Sequence, residues 1–404
     1  MKILNLRKLG PGLLFAGAAI GVSHLVQSTR AGADFGFGLL WALIISIILK
    51  YPFFQFGSRF ALATKTSLLD GYYKLGKIYL LIFFLISLGT IFTIQTAVTI
   101  VTASLATTIF GFSHNLVLLS TFVVLICFII LLVGNYKFLD NLIKIIISAL
   151  ALSTLIALLI ALIRNNDSFE LTQVFPYDTS IIFLAALIGW MPAPLDISVW
   201  QSLWILEKKK TSDIHFHEGI FDFNVGYFGT FILGICFLSL GALVMFGSGT
   251  GFSDVGSVFA KQFIELYTST LGTTVYPIIV IAAFTTMFST TLTTLDASPR
   301  SMHKSSQLLF SRLSFFNYKF WLIILSLGTI CIFHFLLDEM ATLVQIATVL
   351  SFVTAPFYAY LNLKLVTSDL MPSKYKPSRF MINFSYVGLV FLTLFALVFL
   401  NIII

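Results

Sequence analysis

Two short runs hold most of the chemistry in this sequence. In AGAAIGVSH, His24 follows Gly17, Gly21 and Ser23; in IGWMPAPLD, Asp196 follows Gly189, Met191, Pro192, Ala193 and Pro194. An imidazole can act as a neutral ligand or pair as an imidazolium with a carboxylate. Both runs lie inside long apolar stretches, where an ionisable group at mid-bilayer costs about 2.5–3.5 kcal/mol and must face a cavity or a partner. His24 and Asp196 are therefore expected to meet, either as a binding pair or as a structural pair that closes a helix break. Beyond the break, His24, Gln27, Ser28 and Ala31 share one helical face, which is expected to look into the cavity.

Other polar groups have weaker claims. Thr285, Ser289, Thr293 and Asp296 recur at successive turns of TTMFSTTLTTLD and could line a coupling path, although hydroxyls also serve as interhelical contacts and Asp296 could pair with Arg300. Thr93, Gln95, Thr96, Thr99 and Thr102 form a comparable series. Lys50 is expected to snorkel along its stem. Asp213, His215, His217 and Glu218 in DIHFHE resemble a metal cluster, but His residues two apart do not share a helical face, so a solvated loop is expected. Cys127, Cys236 and Cys331 stand singly and are expected to be inert packing residues. No HExxH, paired carboxylates or Ser-His constellation occurs within the spans, which argues against an enzyme, and no cofactor is expected.

The elements that carry these residues belong to a membrane. Of 404 residues 58% are hydrophobic and 10% charged, far from the balance of a soluble domain. Apolar runs of bilayer length fall near 11–31, 37–60, 77–109, 115–134, 141–163, 179–206, 220–247, 273–297, 318–337, 340–365 and 380–403. About eleven spans in one polytopic domain over 1–404 follow, with a short surface helix expected near 254–270. Placing the N-terminus in the cytoplasm puts twenty Lys and Arg on that side against Arg30, Arg164 and Lys261 outside. Eleven spans then leave the C-terminus outside, and a cell-membrane location is expected. The net charge of +7 reflects this topology and the anionic inner leaflet, not nucleic acid.

Gly and Pro survive mid-span only where protein or a cavity satisfies the freed backbone groups. The first span breaks at Gly21, the sixth at Gly189, Pro192 and Pro194. Breaks five spans apart point to two inverted repeats, about 11–163 and 179–365, with span 11 (about 380–403) added. The binding site is expected where freed carbonyls and helix-end dipoles meet.

With those residues in view, the chain resembles the NRAMP divalent metal transporters. GPGLLFAGAAIGVSHLVQSTRAGADFGFGLLWALI is similar to the family's opening GPG, its post-break AGA and its LLW, and Met191-Pro192 to its M-P-H motif. STTLTTLDA and the Ala-Pro-Phe ending at Phe357 are weaker matches. The resemblance implies an all-α LeuT-type five-plus-five inverted repeat and secondary transport of a metal cation by alternating access. Where the family has D-P-G-N, this chain has Gly21, Val22, Ser23 and His24; the family's helix-6 histidines become Ala193 and Ser198, and its helix-3 acids fall on Gln95 and Val98. Met191 and backbone carbonyls near Ala18 and Ile188 remain as ligands. His24, Met191 and Asp196 are the candidate metal ligands, an N, S and O set that favours a borderline transition metal. Gly21, Ser23, Gln27 and Ala193 complete the candidate substrate contacts. A small polar or anionic solute held by His24 and Asp196, or a non-transporting channel or receptor, are the alternatives.

Overall fold

A computed structural model describes residues 9–110, 115–134, 136–164, 170–176, 180–247, 262–266, 268, 272, 276–310, 315–335 and 340–403. Among them there is helix and no strand, as a bilayer demands of a chain that must satisfy its backbone within each segment. Span 1 is three pieces: α1 (Pro11–Ala19), a π-helical stretch (Val22–Ser28) and α2 (Thr29–Phe35). There follow α3 (Leu40–Thr64), a short α4 (Leu68–Leu75), α5 (Lys77–Phe110), α6 (Leu116–Val133) and α7 (Tyr136–Arg164). The second half holds α8 (Ser180–Trp190), α9 (Ile197–Thr211), α10 (Phe216–Val244), α11 (Tyr276–Leu309), α12 (Tyr318–Phe335), α13 (Met340–Thr367) and α14 (Arg379–Ile403).

Nine spans among the described residues are long and apolar enough to cross a membrane, with Pro11–Phe35 counted as one. The expected eleven add the sixth, which the break divides into α8 and α9, and the eighth, α11, whose centre is dense in threonine. The surface helix expected near 254–270 lies largely outside the described residues. Along α6, Leu118, Phe122, Ile126 and Ile129 are exposed, and along α14 Val387, Val390, Leu394 and Leu397; such apolar stripes suit lipid.

The broken span sits at the centre because glycine lets its neighbours come close. A Cβ on Gly12 would lie 2.0 Å from the Asp222 carbonyl oxygen, and one on Gly226 would lie 1.9 Å from that of Gly12. Past the break the pattern repeats: Gly32 faces the Leu238 carbonyl at 1.9 Å and Gly241 that of Thr29 at 2.1 Å. Both halves of span 1 therefore lie backbone to backbone on α10, in the manner of small-residue contacts between membrane helices. Asp222 fixes the join, accepting from Gly10 N (2.9 Å) and Gly12 N (2.7 Å) at the start of α1. Phe15, Phe54, Phe223 and Tyr227 pack around it with centroids 5.2–5.8 Å apart.

Loop chemistry is local. Ser67 and Asp70 form a capping box that starts α4, and His215 stands at the N-cap of α10, its backbone N–H donating to Glu218 at 3.2 Å. Two members of the DIHFHE run thus start a helix. Cys127 and Cys236 are buried, whereas Cys331 is exposed on α12, a correction to its expected packing role.

Candidate functional site

The two breaks lie side by side. Pro192 has no N–H for the carbonyl of Ile188 one turn back, and Pro194 none for that of Trp190, so α8 ends with freed acceptors. In span 1, Gly21 N turns to the Ala19 carbonyl (3.0 Å) and leaves that of Gly17 without a donor from the helix ladder. Ser23 Oγ lies within reach of both breaks, 2.6 Å from the Ala19 carbonyl and 3.2 Å from that of Pro192.

Side chains from elsewhere fill most of these positions. Thr290 of α11 donates to the carbonyls of Gly17 (3.0 Å) and Ile20 (3.2 Å). Lys50 of α3, fully buried, sets its ammonium 2.6, 2.7 and 2.9 Å from the carbonyl oxygens of Ile188, Gly189 and Met191. It does not snorkel: the stem runs inward, because three carbonyls and the negative end of a helix dipole solvate the charge inside the protein.

Both ring nitrogens of His24 are engaged by groups other than Asp196. Its Nε2 lies 3.0 Å from the Thr230 carbonyl of α10, and its Nδ1 lies 2.8 Å from Ser23 Oγ and 3.1 Å from the Ala19 carbonyl. Nε2 is thus taken by one backbone carbonyl and Nδ1 by the Ser23 hydroxyl and a second carbonyl. Met191 is fully buried, its sulfur 3.8 Å from Ser28 Oγ, and Ala193, two residues on, is 1% exposed. Asp196 precedes α9, and its Oδ1 is buried without a hydrogen-bond partner among the described residues. Gln27 Oε1 and both amide atoms of Gln201 are unpartnered in the same way. Among the described residues no three His, Cys, Asp or Glu come together to hold a metal.

The hydroxyls of α11 divide by partner. Thr285, Ser289 and Thr293 bond back to carbonyls of their own helix, whereas Thr290 and Thr291 reach out: Thr291 Oγ1 is 2.7 Å from Thr102, and Gln95 donates to the Thr291 carbonyl at 3.3 Å. Asp296 takes both oxygens to Arg300 Nε (2.9 and 2.8 Å) and also accepts from Trp204 Nε1 (3.2 Å) and Tyr318 OH (3.0 Å), a knot joining α9, α11 and α12. Sequence reasoning missed Thr290 and misread Lys50. A lone Lys amid LWALIISIILKYPFFQ was the available signal for the second.

Comparison with known proteins places this geometry. The family model "natural resistance-associated macrophage protein-like" (Nramp) matches residues 12–401. The chain belongs to the Nramp family. It is 37% identical over 400 residues to an uncharacterized protein of Pasteurella multocida (strain Pm70), covering 97% of this chain and 91% of that one. A manganese transporter from Eremococcus coleocola, solved in complex with an aromatic bis-isothiourea substituted compound, superposes with a TM-score of 0.68 at 16% identity, over 96% of this chain and 85% of that one. Mhp1, a nucleobase-cation-symport-1 family transporter solved closed with bromovinylhydantoin bound, gives 0.59 at 15% identity, over 96% and 91%. The fold of this Nramp chain is thus the LeuT type, and the protein is a transporter rather than an enzyme. The glycines of its GPG and AGA runs serve the contact of span 1 with α10, so the strongest resemblance lies in packing and the departures lie at the breaks.

Proposed function

We propose that this Nramp protein is a secondary active transporter that moves a metal cation of the divalent class across the cell membrane by alternating access, with its N-terminus in the cytoplasm. The observation that carries the reading is the meeting of the two helix breaks around Ser23, where Met191 supplies a soft thioether and freed carbonyls supply oxygen. Family membership and the manganese transporter of the same fold support the metal class. His24 and Asp196 act in this reading once the site opens: His24 releases the contacts that its ring nitrogens make in this conformation, and Asp196 offers its unpartnered oxygen. With Gln95 and Val98 at the helix-3 positions, proton coupling by that route is weak or absent.

Uptake of manganese, iron, cadmium and magnesium into proteoliposomes tests this, repeated with His24→Ala and Asp196→Ala. At least one dication is expected to move, with each substitution lowering its uptake. If no dication binds or moves, metal transport is excluded. A second reading, transport of a small polar or anionic solute, is favoured by one observation: the Lys50 amino group at the α8 break, with no carboxylate paired to it among the described residues.

A further inference from the structure

The Lys50 ammonium occupies a site built for a cation. Its three N–H groups meet three carbonyl oxygens at 2.6–2.9 Å, a complete match of donors to acceptors. Two of those carbonyls, Ile188 and Gly189, belong to the last turn of α8, where the helix dipole is negative, and the first is freed by Pro192. A cluster of carbonyls replacing a hydration shell is also how proteins hold a dehydrated metal ion. Lys50 is 0% exposed and forms no ion pair among the described residues, so nothing but these carbonyls balances its charge.

We propose that Lys50 is a tethered cation that competes with free cations for the carbonyl cage at the end of α8, and so sets which ions the site accepts. With the ammonium in place, a metal ion meets a positive charge and engaged oxygens. With the side chain shortened, the same three oxygens are open to an alkali ion, an alkylammonium or a dication. The proposal goes beyond the metal-transport reading, because the cage and its occupant are defined whatever the cargo is.

The experiment compares wild-type protein, Lys50→Ala and Lys50→Gln, purified in detergent, by thermal melting in potassium, ethylammonium and manganese chlorides, with choline chloride as the control for ionic strength. Lys50→Ala is expected to melt lower than wild type in choline and to regain Tm saturably in at least one of the three test cations. Wild type is expected to show no such response at the same concentrations. Lys50→Gln keeps neutral donors at the cage; it is expected to fold and to bind the effective cation on the order of tenfold more tightly than wild type, since a neutral occupant is displaced more easily than a charged one. Recovery of folded Lys50→Ala only when the effective cation is present throughout purification would carry the same meaning. The proposal is overturned if Lys50→Ala melts like wild type in choline, or if its loss of stability is restored by no cation. It is equally overturned if Lys50→Ala never folds while Lys50→Gln folds with wild-type cation response, since Lys50 would then be an ordinary hydrogen-bonding staple. None of these readings depends on transport, so failure of the metal-uptake test leaves this one standing on its own.

Discussion

Thr290 is the residue that ties the scaffold to the first break, donating to two carbonyls that the helix ladder has released. Replacing it by valine preserves shape and removes the donor, leaving buried acceptors with less satisfaction; a loss of about 1–3 kcal/mol is expected. Thr290→Val should therefore melt several degrees lower, whereas Thr285→Val, whose hydroxyl only bonds back along its own helix, should melt within a degree or two of wild type. Equal losses in the two variants would show that the outward contacts of Thr290 contribute nothing special. Asp70 gives a pH-dependent test at the same scale. Burial pushes its carboxyl up, but hydrogen bonds from Lys304, at 2.7 Å, and from Ser67 outweigh this and hold it below the ordinary carboxylate value. A depressed carboxylate stabilises the fold above its unfolded-state pKa of about 3.9 and ceases to do so as pH falls through the folded value. The Tm gap between wild type and Asp70→Asn should thus be present at pH 6 and shrink below about pH 4.

At the scale of elements, the contact between span 1 and α10 has almost no tolerance. Cβ atoms at Gly32 or Gly241 would meet backbone oxygen at 1.9 and 2.1 Å, and backbone cannot swing aside as a side chain can. Gly241→Ala is expected to separate the helices and cost several kcal/mol, seen as loss of a monodisperse folded peak; Gly229→Ala on the same helix, where an added Cβ meets nothing within 4 Å, should behave as wild type. Hydrogen bonds also hold the broken sixth span. Its lower half, α9, begins next to a node in which Asn362 of α13 donates to Ser198 Oγ (2.9 Å) and the Phe53 carbonyl (3.0 Å) while accepting from Tyr72. Glycine contacts and hydrogen bonds thus seat both breaks: Thr290 bonds the first, and Gly57 of α3 packs against the Ser198 carbonyl beside the second.

For the molecule as a whole, the breaks are closed to solvent: His24, Lys50, Met191, Ser198 and Gln201 are all fully buried. Two sets of contacts stand apart along α3. Trp41 donates from Nε1 to the Val174 carbonyl at 2.9 Å near its start, and the Tyr72–Asn362–Ser198 node meets it further along at Phe53. If alternating access operates, these open in turn. Tyr72→Phe removes one donor from the second set and should raise the labelling of Ser198→Cys by a small permeant thiol reagent, in a background with Cys331 replaced by serine because that native thiol is exposed. Unchanged labelling would mean that the node is not a door. Cargo flux should saturate at rates of a conformational cycle; channel-like currents would exclude that cycle.

What the sequence determined by itself is what depends on short stretches of chain. Hydropathy marks spans because each helix must meet lipid on its own, and paired prolines break a helix wherever it sits, so the interrupted first and sixth spans and the all-helical membrane fold were legible. The family likeness was legible too, because GPG and AGA are demanded by one close helix contact. What occupies the breaks was decided only by tertiary structure. Whether a buried Lys reaches the membrane surface or turns inward depends on carbonyls 138 to 141 residues away, and whether Ser289 or Thr290 faces the break depends on a rotation of α11 that hydroxyl spacing alone leaves open. His24 and Asp196 looked like partners because both are ionisable and both adjoin a break; the fold gives His24 to backbone carbonyls and the Ser23 hydroxyl and leaves Asp196 Oδ1 without a hydrogen-bond partner among the described residues. Proximity to a break is a property of sequence, but the direction in which a side chain leaves it is a property of the neighbours that solvate it.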